Sequence, residues 1–259
     1  MQPASIRLDT GDAVRFFVCT LALSVPFWLL DLTRIELLPR LPLSALGVLA
    51  PMLAALAVVA RRSAGLRLAD ALRFLLGPSR AGWLGLLAVA VPVACGLLAY
   101  GIASVVDPDL PAPRWSLSLV LLLLVFYLGA LAEELGWTGL ANRALARRWT
   151  PLAAGLLIGS FWAAWHWLPL IGVGRGWAWV AAWSLDTVFR RIIMCRLFAL
   201  GLRSVPWMAA FHAMSNLAWQ AFPVNGSHWN PLHSCMATGG MAVLFLLMPC
   251  AKHSPRGRG

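Results

Sequence analysis

The sequence predicts an all-α, polytopic membrane protein of about eight spanning helices, built as a single integral membrane domain over residues 1–259. Three observations carry that expectation. The chain is 60% hydrophobic and only 12% charged, whereas soluble domains average about half apolar and a quarter charged. Its apolar residues collect into runs near the length of about 20 residues that a helix needs to cross hydrocarbon. Its basic residues collect on one side of those runs.

The runs fall near 14–30, 41–60, 83–103, 117–139, 150–170, 177–189, 204–222 and 235–250. Pro26 and Pro92 interrupt the first and third, and membrane helices tolerate such kinks because neighbouring groups satisfy the freed backbone. The run at 177–189 is the shortest. Polar residues precede the first run and no small-residue cleavage site follows it, so no cleavable signal is expected. The connection 61–82 places Leu66, Leu68, Leu72, Phe74, Leu75 and Leu76 beside Arg67, Asp70 and Arg73. That pattern predicts an amphipathic helix in the membrane interface, stopped at Gly77-Pro78, with Asp70 paired to a neighbouring arginine.

The net charge of +11 invites a nucleic-acid reading, which the placement of the charges excludes. With the 61–82 connection in the cytoplasm, 17 of the 21 Lys and Arg side chains face inward. Only Arg34, Arg40, Arg114 and Arg175 face outward. The basicity is therefore an insertion signal that puts both termini in the cytoplasm of a cell membrane protein, with membrane lipids as its partners. No aromatic-basic interleaving points to nucleic acid. The five cysteines, Cys19, Cys95, Cys195, Cys235 and Cys250, show no CxxC spacing and read as small buried side chains. His228 and His233 read as residues of a solvated outer loop. Many of the 14 tryptophans stand at run ends, as in an aromatic belt.

The remaining polar residues carry the chemistry. Glu133 and Glu134 lie side by side in an apolar run, in a chain with only one other glutamate, Glu36. An ionisable residue placed where a helix meets lipid is costly and marks function by default. His166 follows in SFWAAWHWLPL, flanked by Trp162, Trp165 and Trp167. His212 and Asn216 stand four residues apart in FHAMSNLAW, on one helix face. A carboxylate and an imidazole together hold and deprotonate a water. A second imidazole with an amide supplies donors for an oxyanion. The same Glu and His set also suits zinc, a minor reading. Trp162 and Trp165 either pack helices or line a cavity for an apolar substrate. Asp186 and Arg190, one turn apart, read as a salt bridge near a helix end, and Ser215 as helix packing. On these boundaries Glu133 falls near the inner end of its helix and His166 near the outer end of the next, a mismatch in depth.

Glu133-Glu134 with Trp137, then Trp162, Trp165, His166 and Pro169, then His212 and Asn216, resemble the motifs of the CPBP family. This family comprises the CAAX prenyl proteases and bacteriocin-processing or immunity-related (Abi) membrane proteins. The resemblance covers about residues 117–222. It implies an eight-helix intramembrane endopeptidase that acts on a peptide or lipidated protein without a cofactor. Carried onto this chain, Glu133 is the base, His166 helps activate water, His212 and Asn216 form the oxyanion hole, and Glu134 supports the site. The family's first motif places an arginine four residues after its second glutamate, and here that residue is Thr138. That departure keeps a catalytically inactive immunity or scaffold relative in view. A proton-coupled transporter, in which the same groups relay protons, is the rival from another class. No repeated half supports it.

Overall fold

In a computed structural model, residues 6–31, 35–38, 41–63, 65–78, 82–113, 116–222 and 226–249 are described. Arg34, Arg40, Arg80, Arg114, Cys250, Lys252, Arg256 and Arg258, which entered the reading above, lie outside them. The chain runs through helices α1 (Thr10–Asp31), α2 (Ala50–Arg62), α3 (Leu68–Leu76), α4 (Trp83–Val106) and α5 (Leu117–Gly136). A π-helical stretch, Trp137–Asn142, leads into the single turn α6 (Arg143–Leu145). Then come α7 (Pro151–Trp165), α8 (Trp167–Gly172), α9 (Trp177–Leu200), α10 (Val205–Gln220) and α11 (Pro231–Leu247). A small antiparallel hairpin, β1 (Glu36–Leu38) with β2 (Leu41–Pro42), and a 3₁₀ segment, Leu43–Leu49, join α1 to α2.

Eight segments thus stand where eight apolar runs were expected. By length and composition alone, five of them are long and apolar enough to cross a membrane: Thr10–Leu30, Ala45–Arg62, Trp83–Val106, Leu117–Leu145 and Pro151–Gly172. The other three are α9, which holds Asp186, Arg190, Arg191 and Arg196, and the shorter α10 and α11, of 16 and 17 residues. Exposed apolar side chains line the outside, among them Leu97, Leu121, Leu128 and Leu247.

Two boundaries differ from the sequence reading, and both matter to the site. The run at 117–139 continues to Leu145, because the π stretch carries the helix through Gly136 and Gly139 without breaking it. Glu133 therefore lies twelve residues before the end of that span, and His166 fifteen residues after the start of the next. At about 1.5 Å per residue these are depths of roughly 18 and 22 Å from the same end. The mismatch in depth disappears. The run at 177–189 extends to Leu200, so Arg190 and Arg191 sit inside a helix within the bundle. Their assignment to the inner face is corrected.

α9 is the central helix, packed against α7 and α11, while α10 packs on α5 and α4. Gly155 and Gly159 let α7 approach α9 closely. A methyl group on Gly155 would stand 2.7 Å from the Ile192 Cα, and one on Gly159 2.9 Å from the Val188 Cα. Small residues four apart commonly make such close crossings in lipid, where tight packing replaces the hydrophobic drive. The expected amphipathic helix is α3, capped at Gly77, with Arg73 bonded to Asp70 at 3.0 Å.

Candidate functional site

Glu133 and Glu134 come from the last turn of α5, and each is held by a residue one turn later. The Trp137 indole donates to Glu133 Oε2 at 3.1 Å, and the Thr138 hydroxyl donates to Glu134 Oε2 at 2.6 Å. Both partners belong to the π stretch, a rare geometry that recurs at functional sites. Trp137 is fully buried, edge-on to Phe16 of α1 and to Trp165 of α7.

Trp162 of α7 is the hub of the site. Its indole donates to Glu133 Oε2 at 2.9 Å. Its ring lies 4.8 Å from the His212 ring, 5.8 Å from the His166 ring and 4.5 Å from the Arg191 guanidinium carbon. One side chain on one helix thereby contacts functional groups from α5, α7, α9 and α10.

His166 stands where α7 ends and the short α8 begins. Its Nδ1 is 2.9 Å from the Trp162 carbonyl oxygen. A carbonyl accepts only, so Nδ1 carries the proton and Nε2 keeps its lone pair. His212, on α10, has Nδ1 3.3 Å from Glu134 Oε1, within ion-pair range but without hydrogen-bond geometry. Asn216 follows one turn along α10.

A cavity of about 280 Å³ opens among these groups. Glu133, Trp162, His166, His212 and Asn216 line it, with apolar walls from Phe126, Leu170, Val173, Met194 and Phe211. The structure thus brings Glu133, His166, His212 and Asn216 to one space and sets Glu134 immediately behind it. Trp165 is placed differently. It does not line the cavity, and its indole donates to Ser24 Oγ of α1 at 2.7 Å. Its side chain joins two helices and is buried.

The residue that sequence reasoning missed is Arg191. Its two terminal nitrogens donate to both Glu134 oxygens, at 2.8 and 2.9 Å. The side chains of both partners are within 1% of full burial. The guanidinium comes from α9, 57 residues later, and the Thr138 hydroxyl donates to the same carboxylate. Apolar residues on both sides, LDTVFRRIIMCRLF, were the available signal, since an inner loop would not continue so.

Asp186 is also buried, accepting from Arg190, from Ser234 at 3.1 Å and from Thr238 at 2.6 Å. The salt bridge to Arg190 exists as read, but it stands mid-helix on the cavity wall, and the Ser234 and Thr238 bonds tie it to α11. The Ser215 hydroxyl donates to the Phe211 carbonyl, a packing role. Cys95, Cys195 and Cys235 are buried and Cys19 half-buried, none in a disulfide. Among the described residues no three His, Cys, Asp or Glu side chains converge in a metal-ligand set.

Comparison with known proteins bears on this same region. Residues 115–218 match the model of the family described as type II CAAX prenyl endopeptidase, Rce1-like. This region is similar to that family. A stretch of 63 residues is 40% identical to CAAX prenyl protease 2 of Methanococcus maripaludis. That stretch is 24% of this chain and 23% of the archaeal protein, so the chain spans about a quarter of the curated relative it matches. The Rce1-like region holds all of Glu133, Glu134, His166, His212 and Asn216, and Arg191 as well. Helices α1 to α4 and α11 lie outside it.

Proposed function

We propose that the protein is an intramembrane endopeptidase that hydrolyses a peptide bond of a membrane-associated or lipidated substrate with a water activated by Glu133 and His166. The observation that carries the reading is the convergence of a carboxylate, two imidazoles and an amide on one cavity through Trp162. The Rce1-like match supports the protease class.

Both indole bonds to Glu133 go to Oε2, which leaves Oε1 for a water. That water also donates to His166 Nε2, and Glu133 takes its proton as the oxygen attacks the scissile carbonyl. The carbonyl oxygen becomes an oxyanion between His212 and the Asn216 amide, where donors fixed in a water-poor site act strongly. The carbon–nitrogen bond then breaks, and the proton held by Glu133 passes to the leaving amine. Glu134 keeps its charge against Arg191 and holds the α5 turn in register with α9 and α10. The apolar walls receive a hydrophobic side chain or a lipid chain of the substrate.

No metal enters this scheme, and the test is built to reveal one. The detergent-purified protein is offered a quenched fluorescent peptide library, beside Glu133→Gln and with or without a chelator. Cleavage that resists chelator and is lost in Glu133→Gln is expected. Cleavage abolished by chelator and restored by zinc refutes the metal-free mechanism. Cleavage that survives in Glu133→Gln refutes the role of that residue. If neither protein cleaves, the inactive-relative and transporter readings gain.

A further inference from the structure

A second cavity, of about 370 Å³, lies at the end of the bundle beside α3 and away from the site. Arg143 and Arg147 line it from α6 and the turn after it, and Arg203 from the α9–α10 connection. Ile6, Leu8, Pro78 and Phe198 supply its apolar walls. We propose that this cavity binds the phosphate of an anionic lipid headgroup.

Three guanidinium groups here share a space that no carboxylate among the described residues lines. The chain has ten acidic residues, and those placed near this end are engaged elsewhere. Asp9 and Asp12 pair with Arg62, Asp12 also with Arg15, and Asp70 with Arg73. Of the two glutamates of α5, Glu133 lines the other cavity and Glu134 pairs with Arg191. Three cations converging on a partly apolar pocket, with no carboxylate partner among the described residues, favour an anion at a membrane surface.

The pocket is also fixed in shape. Arg143 donates to the Phe74 and Leu75 carbonyls at the end of α3 and stacks over the Phe74 ring at 4.9 Å. Those bonds use two of its five donors and leave the others free. Gly77 has φ +70°, and the Arg203 carbonyl presses where its side chain would be. That close approach holds the α3 end, Arg143 and Arg203 together. Guanidinium groups bind phosphate oxygens in paired fashion, and the apolar walls suit the glycerol and first methylenes of a lipid. The amphipathic α3, lying in the interface, brings the pocket to headgroup depth.

The test is native mass spectrometry of the delipidated full-length protein, titrated with phosphatidylglycerol or with phosphatidylcholine. Arg147→Glu/Arg203→Glu is the perturbation and Arg147→Lys/Arg203→Lys the charge-keeping control. Arg147 and Arg203 are exposed, so the variants keep the fold, and a thermal scan verifies this. One phosphatidylglycerol should bind in preference to phosphatidylcholine. At about fivefold per arginine, the glutamate variant should lose roughly 30-fold or more of that preference, and the lysine variant should keep most of it. Equal retention of the two lipids overturns the proposal, as does a preference that survives Arg147→Glu/Arg203→Glu. Displacement of the lipid by millimolar inorganic phosphate, but not by chloride, assigns the cavity to free phosphate and overturns the lipid reading.

Discussion

Replacing Arg191 with Met tests how the second glutamate is held. Methionine keeps much of the arginine's length and its contact with the Trp162 ring but removes both hydrogen bonds to Glu134 and the positive charge. Glu134 is wholly buried and its Arg191 partner 1% exposed, so solvent screening does not soften the loss. Breaking a buried pair by removing one partner costs about 3–5 kcal/mol. That equals roughly a 10²- to 10⁴-fold fall in the ratio of folded to unfolded protein. The Thr138 bond at 2.6 Å remains and puts the expected loss toward the lower end. In Glu134→Gln/Arg191→Met neither charge remains, and removing both partners is close to neutral. The double variant should therefore recover at least half of the loss. Unfolding of the purified protein in mixed micelles, titrated with SDS and followed by tryptophan fluorescence, measures all three. A single variant within about 1 kcal/mol of wild type would refute the assignment of Arg191 as the partner that stabilises Glu134. So would a double variant less stable than the single.

Trp162→Phe keeps an aromatic ring against His212 but removes the indole donor to Glu133. Cleavage of the fluorescent peptide should fall about tenfold or more while the folded fraction holds, because the lost group positions a carboxylate. Unchanged turnover would argue against the hub role. Gly159→Leu puts a branched side chain where even a methyl group meets the Val188 Cα at 2.9 Å. It should destabilise by about 1–3 kcal/mol or more through overpacking of α7 against α9, read in the same SDS titration.

Much of the fold was legible because a bilayer constrains sequence strongly. Apolar runs and interface helices are separate signals, and they located eight helical segments, two of them with ends that the structure extends. The candidate site residues stood out for the same reason, since a carboxylate pair or a histidine is conspicuous in an apolar run. Arg191 was hidden by the rule that revealed the others. Hydropathy ends a run at clustered charge, so Phe189-Arg190-Arg191 read as a boundary. The compensating carboxylate lies 57 residues away, and nothing local announces it. The depth of Glu133 was hidden because the apolar run was ended at residue 139, whereas the π stretch carries the helix on to Leu145. Trp165 was assigned to the substrate because it neighbours His166 in sequence. In a helix adjacent residues point in different directions, and its indole turns toward α1.

The bond between Trp165 and Ser24 also has a history in time. The two residues are 141 positions apart, and chains are synthesised at about 5–20 residues per second. Ser24 therefore enters the membrane roughly 7–28 s before its partner exists. A bare hydroxyl in hydrocarbon would be a burden for that interval. Ser24 meets it within its own helix, donating to the Thr20 carbonyl at 2.7 Å. That leaves the oxygen's lone pairs free for the later indole. The first helix can thus wait in lipid with its docking point intact. Its bond closes only once α7, with Trp165, arrives.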